Sequence, residues 1–182
     1  QQWPEIEAKV EINPNVIGLM VSQGVLYIGE NATIAEDRVE ALIQHEVGTH
    51  VLTYFNGKAQ PLKQLYSGVP GYEELQEGLA VLSEYLVGGL NAARLRKLAA
   101  RVVAINAMIK KEPFANTFKM LIDKYNFAAY TAFNITMRAY RGGGLTKDAV
   151  YLKGLIDLLK YLKKGKPLEP LYVGKITEAY LP

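Results

Sequence analysis

Two apolar runs, VIGLMV and VLYIG, lie between residues 16 and 29, separated by Ser22-Gln23-Gly24. Short apolar runs on either side of a glycine-bearing turn predict a β-hairpin. Thr33-Ile34-Ala35-Glu36 then has the form of a capping box, so a helix is predicted to open there. It should run to Phe55, where Asn56-Gly57 supplies a stop. After GKAQPLKQLYSGVPGY, a loop rich in Gly and Pro, EELQEGLAVLSEYLV at 73–87 reads as a second helix ended by Gly88-Gly89. Leu75, Leu79, Leu82 and Leu86 make its apolar stripe. Helical spacing of Leu and Val recurs over 92–111, 113–125, 128–140 and 147–163, with RGGGLT at 141–146 as the conspicuous break. No repeat of about 20–50 residues is evident. The pattern predicts an α+β fold, predominantly helical with a small N-terminal β-hairpin or sheet, in a single domain over 1–182.

Composition narrows this only a little. A chain of 182 residues that is 49% hydrophobic can bury a substantial core, and 21% charged residues argue against disorder. The net charge of +3 selects no partner. KYLKKGKP at 160–167 reads as lysines complementing a helix C-terminus, and no basic, aromatic-interleaved face for nucleic acid appears. The absence of cysteine removes disulfides, thiolate metal sites and cysteine nucleophiles together. It leaves the compartment open, with the cytoplasm slightly favoured. VIGLMVSQGVLYIG is too short and interrupted to span a bilayer. The chain begins QQWPE without an initiator methionine and reads as a processed or trimmed fragment, from which a targeting segment would be missing.

Candidate chemistry concentrates in HEVGTH at 45–50, which holds the only two histidines. It resembles the helical zinc motif H-E-x-x-H with one residue too many. In an α-helix, residues four apart are separated by about 40° around the axis, but residues five apart by roughly 140°. A π-bulge absorbs the extra residue and brings positions five apart nearly onto one face. Gly48, between the histidines, eases that distortion and permits close approach of another element. Catalytic zinc takes three protein ligands and keeps a position for water, so with no third His and no Cys the remaining ligand is a carboxylate. The second helix offers Glu73, Glu74, Glu77 and Glu84. Glu77 is the best placed, because Gly78 and Ala80 beside it would let its helix pack closely on the histidine helix. Glu46 then takes the role of general base toward a zinc-bound water and proton donor to the leaving amine.

HEVGTH and QEGLA (76–80), followed by RAYRGGGLTKDAVYLKG (138–154), together resemble the bacterial flavohaemoglobin expression-modulating QEGLA-motif family. That family is similar in turn to the microtubule-associated tyrosine carboxypeptidases. The likeness runs from about Val16 to Ile176 and takes in NGKAQPL at 56–62 and VGKI at 173–176. It implies a zincin-like metallopeptidase core, one Zn²⁺ per chain held by His45, His50 and Glu77, and Glu46 as catalytic acid and base. It implies carboxypeptidase-like removal of C-terminal residues, tyrosine among the candidates, with a peptide or protein C-terminus as substrate. Relatives extend further at both ends, so the chain looks like a trimmed core. Arg138, Arg141 and Lys147 are candidates to bind a substrate carboxylate, with the glycines of RGGGLT offering N–H groups. Tyr140 and Tyr151 are candidates to hydrogen-bond an oxyanion. The alternative is a zinc-binding regulatory or interaction protein with little hydrolysis. Glu46 favours the enzyme, since a purely structural site has no need of an acid beside its ligand.

Overall fold

The computed structural model describes residues 8–141 and 147–181. The QQWPE start and the glycines of RGGGLT lie outside the described residues. Contacts divide the chain into two compact units. The first takes the chain up to Leu90 and from Gly154 onward, and the second is Asn91–Lys153.

In the first unit the predicted hairpin forms from β2 (Leu19–Ser22) and β3 (Val25–Gly29), with Ser22 opposite Val25. β1, β2 and β3 are numbered in chain order, β1 being Lys9–Asn13. Gln23 and Gly24 make the two-residue loop at φ 50° and 80°, the type I′ geometry that matches strand twist. β1 lies parallel to β3 on the side away from β2. The hydropathy pattern does not predict β1, for a physical reason. Val10 and Ile12 are 61% and 65% exposed, so this edge strand has no buried face to imprint on its sequence.

The first predicted helix is present but built differently from expectation. Helical backbone runs through α1 (Glu36–His45), a π-helical turn (Glu46–Val51) and α2 (Leu52–Lys58). The capping box does not form: the N-cap is Ala35, and no side chain caps the helix. Glu36 and Asp37 in the first turn meet the positive end of the dipole instead. Asn56-Gly57 does not stop the helix either. A Cβ at Gly57 would lie 2.3 Å from the Leu65 carbonyl oxygen, so glycine is needed there for close backbone approach.

After the short α3 (Gln64–Ser67) comes α4 (Tyr72–Leu86), buried continuously from Leu75 to Leu82. Leu86 departs from the predicted stripe and is 69% exposed. Gly88, at φ 77°, ends α4: its N–H donates to Tyr85 and that of Gly89 to Glu84, a Schellman cap. Gly78 was expected to admit the histidine helix. It faces Gly154 of α8 (Lys147–Lys163) instead, where a Cβ on Gly78 would lie 2.5 Å from the Gly154 carbonyl carbon. Two 3₁₀ turns, Glu169–Tyr172 and Glu178–Tyr180, complete this unit.

The second unit contains α5 (Ala92–Ile109), α6 (Phe114–Asp123), α7 (Ala129–Arg141) and the first residues of α8. Asn91 caps α5 by accepting from the Arg94 N–H. Ala100, Ala104, Ile105, Leu121, Ala132, Ile135 and Ala139 form its core. Small residues on α5 and α7 allow those helices close contact. Among the described residues, no helix is long and apolar enough to cross a membrane.

The glycine contacts give a first prediction. A Cβ at Gly154 would sit 1.9 Å from the Glu74 carbonyl oxygen, a backbone atom that cannot yield, so Gly154→Ala should destabilise by about 2–3 kcal/mol. A Cβ at Gly48 meets only the flexible end of Gln44, and Gly48→Ala should stay within about 1 kcal/mol of wild type. Urea unfolding of the two variants checks the ranking, and equal stabilities would refute it.

Candidate metal centre

The sequence places His45 at the last position of α1 and His50 inside the π-helical turn. The i→i+5 geometry of that turn overcomes the divergence expected of residues five apart. The two imidazole centroids are 5.1 Å apart. Widening a helix strains its carbonyl ladder, and threonine hydroxyls cover the affected positions. Thr49 Oγ1 lies 3.2 Å from the Gln44 carbonyl and Thr53 Oγ1 2.7 Å from that of Thr49.

From α4, Glu77 reaches both rings. Its Oε2 is 3.5 Å from His45 Nε2 and 3.7 Å from His50 Nε2. Among the described residues, His45, His50 and Glu77 form a group whose ligand atoms all lie within 4.8 Å of one another. Donors around a tetrahedral ion at about 2.1 Å stand roughly 3.4 Å apart, so the two measured spacings fit a shared metal. Two imidazoles and a carboxylate are also a donor set that leaves one position open for water.

The outward-facing ring nitrogens are held as well. His45 Nδ1 is 2.9 Å from Glu84 Oε1, and the other Glu84 oxygen accepts from Arg38 at 2.7 Å. Arg38 also donates to the Gly89 carbonyl, which ties the start of α1 to the end of α4. Gln76 Oε1 lies 3.5 Å from His50 Nδ1 and 2.8 Å from Thr53 Oγ1. Acceptors on both Nδ1 atoms fix the tautomer that presents Nε2 as a lone pair to a metal. The sequence motif suggests Glu84 only as a possible ligand and does not single out Arg38 or the role of Gln76. Spacing would have found two of them: Glu84 follows Glu77 by two helical turns, and Arg38 precedes His45 by the same interval.

Electrostatics follow from this geometry. Burial alone would push the His45 imidazole down, but Glu77 and Glu84 outweigh it and raise its pKa to about 9. Burial would likewise raise the Glu77 carboxyl, yet the two histidines hold it well below the usual carboxylate range. Glu46 is half-buried, stays outside the donor cluster, and contributes to the field that favours a cation at His45.

The five residues proposed for substrate contacts all belong to the second unit, whereas the donor cluster belongs to the first. Arg138 forms a two-pronged ion pair with Asp148, at 3.0 and 2.7 Å. The Tyr140 hydroxyl bonds Thr117 and the Glu112 carbonyl. The Tyr151 ring lies under the Arg101 guanidinium. Arg141 and Lys147 are exposed.

A mainly helical protein with a small sheet thus brings together a His-His-Glu donor set that could hold a metal ion. The family model for microtubule-associated tyrosine carboxypeptidase matches residues 1–182, the whole chain, and the chain belongs to that family. Comparison with individual curated proteins gives no match. Membership bears out the kinship read from HEVGTH and QEGLA, and supports a carboxypeptidase-like activity on a peptide or protein.

A proton and a metal ion compete for His45. Because its pKa is raised to about 9, the proton must leave for Nε2 to bind a cation at neutral pH. Metal affinity should therefore fall by up to about tenfold per unit as pH drops from 9 toward 6.5. Calorimetric titration with a divalent transition-metal ion, in buffers of different ionisation enthalpy, should reveal release of about one proton per metal. Heats that do not depend on the buffer would contradict this account.

Proposed function

We propose that the protein is a zinc-dependent metallopeptidase of the H-E-x-x-x-H type with a zincin-like core, removing residues from the C-termini of peptides or proteins. The observation that carries the reading is that Glu77 Oε2 stands 3.5 and 3.7 Å from the two imidazole Nε2 atoms, close to the donor spacing around one tetrahedral ion, with an acid directly beside His45. Family membership supplies the carboxypeptidase direction.

In this reading His45, His50 and Glu77 hold the zinc. When bound, zinc supplies a water of pKa about 7 and polarises the scissile carbonyl. The chain's own residues do the rest. Glu84, with Arg38 behind it, and Gln76, with Thr53 behind it, keep the imidazoles in the ligating tautomer. The Glu46 carboxylate takes the proton of the attacking water and returns it to the leaving amine, a role its place outside the donor cluster leaves open. A regulatory zinc protein would need Glu46 only for its charge and not as a proton shuttle, which is why the enzyme is preferred.

Glu46→Gln should keep one zinc per chain and lower turnover on a cleavable peptide by about 10²–10⁴-fold. His50→Ala should lose both zinc and activity. Elemental mass spectrometry of the purified variants, alongside peptide cleavage, makes the test. Full activity in Glu46→Gln would sink the mechanism, and full zinc in His50→Ala would sink the site.

A further inference from the structure

Helix α5 has two apolar faces. Leu98, Ala104 and Ile105 are buried, as the inner face of a packed helix should be. A second set, Ala92, Leu95, Ala99, Val102, Asn106 and Ile109, recurs along the same helix at alternating intervals of three and four. Those intervals keep all six within one stripe about 100° wide. Leu95 and Ile109 are 43% and 60% exposed, Val102 is half-buried, and the other three are exposed. The stripe has the spacing of a helix-pairing seam and yet lies open to solvent.

A cleft of about 490 Å³ between α5 and α6 shares Asn106 with this stripe. Val103, Ala107 and Met120 give the cleft apolar lining, Lys110 and Lys124 give it positive charge, and Glu112 is the one acid that lines it. Arg96 borders it, donating at 2.7 Å to the carbonyl of Tyr125, a further lining residue. All of these belong to the second unit.

Charge selects the occupant. Asn91–Lys153 carries twelve Lys and Arg against three Asp and Glu, a net +9 in a chain of net +3, which leaves −6 for the first unit. A compact unit of one sign attracts a partner of the other. A second α5 is unsuited, because it would set +9 against +9. A lipid surface would have to bury Asn106 in the middle of the stripe, and a nucleic acid would meet Leu95 and Ile109 there. A helix satisfies every position. Its apolar residues pack on Leu95, Val102 and Ile109, Ala92 and Ala99 admit close approach, and a polar residue opposite Asn106 fixes register. Acids on its flanks meet Arg96, Lys110 and Lys124, all of them exposed.

We propose that the outer face of α5, with the cleft beside it, is the docking site for an acidic amphipathic helix of a partner protein. The site goes beyond the peptidase reading and does not depend on it.

The probe is a fluorescent helical peptide of the same length as α5, 18 residues, with leucine along a 3–4 seam and glutamate on both flanks. A control keeps the seam and carries lysine in place of each glutamate. Anisotropy titration with the whole chain should show saturable binding of the acidic peptide, at least about tenfold tighter than the control and weakened by salt. Leu95→Glu combined with Ile109→Glu should weaken it by about tenfold or more, since two large apolar contacts are lost. Both positions are exposed, so melting temperature and metal content should match wild type. Lys110→Glu combined with Lys124→Glu should reverse the preference between the two peptides, which a merely loosened fold would not do. No binding, equal binding of both peptides, or binding indifferent to the Leu95 and Ile109 changes overturns the proposal. Two further measurements use the protein without peptide. Self-association in sedimentation that the Leu95 and Ile109 changes abolish would give the stripe to a second copy. Binding to anionic phospholipid vesicles that the same changes abolish would give it to lipid. Either result overturns the partner helix.

Discussion

Two carboxylates buried on one helix set the terms for the first unit. Glu77 and Glu84 of α4 are 6% and 0% exposed, two helical turns apart. Burying an ionised carboxylate is costly unless a cation or strong donors meet it. Arg38 and His45 meet Glu84, while His45 and His50 meet Glu77. Arg38 and His45 are also two turns apart, so an ordinary α-helix presents both to α4. His50 lies five residues further, and in that same helix it would point away. The π-helical turn that starts after His45 and contains His50 is the local answer to this constraint.

The same charges bear on what the centre holds. Glu46, Glu77 and Glu84 bring three carboxylates to one region, against a single guanidinium from Arg38. With both imidazoles neutral, a divalent cation brings that group to electrical balance. A proton on His45 compensates only in part, which accounts for the upward shift of its pKa. Affinity for a metal and affinity for a proton are thus two expressions of one charge deficit.

What was legible in the sequence follows the same logic. The hairpin was readable because its turn demands residues that tolerate positive φ, and Gln23-Gly24 meets that demand. The long helices were readable because each hides one apolar face. HEVGTH marked its two histidines as candidate metal donors, and even anticipated the π-turn, because chemistry fixes which residue types can bind a metal. Capping failed as a guide at Thr33 and Asn56-Gly57, since a cap motif signals only local preference. At Gly57 the decisive neighbour is Leu65, in the following helix α3, and no window on one helix contains both. β1 was invisible because both its faces are largely exposed. Arg38 left a signal in its seven-residue interval to His45, whereas Gln76 is a long-range partner whose role depends on how α1 and α4 cross.

QEGLA shows how tightly such a crossing is determined. Gln76 faces His50, and Glu77 stands between the imidazoles. Gly78 lets the backbone of α8 come against α4. Leu79 and Ala80 are fully buried, so α4 cannot rotate to carry Glu77 outward without exposing them. A larger residue at position 78 would lift α4 from α8 and shift Glu77 by a fraction of the donor spacing. A shift of about 1 Å matters, because ligand distances must hold within about 0.2 Å for a metal to be shared. The glycine is therefore as much a part of the candidate metal centre as the glutamate beside it: one offers the oxygen, and the other decides where that oxygen is.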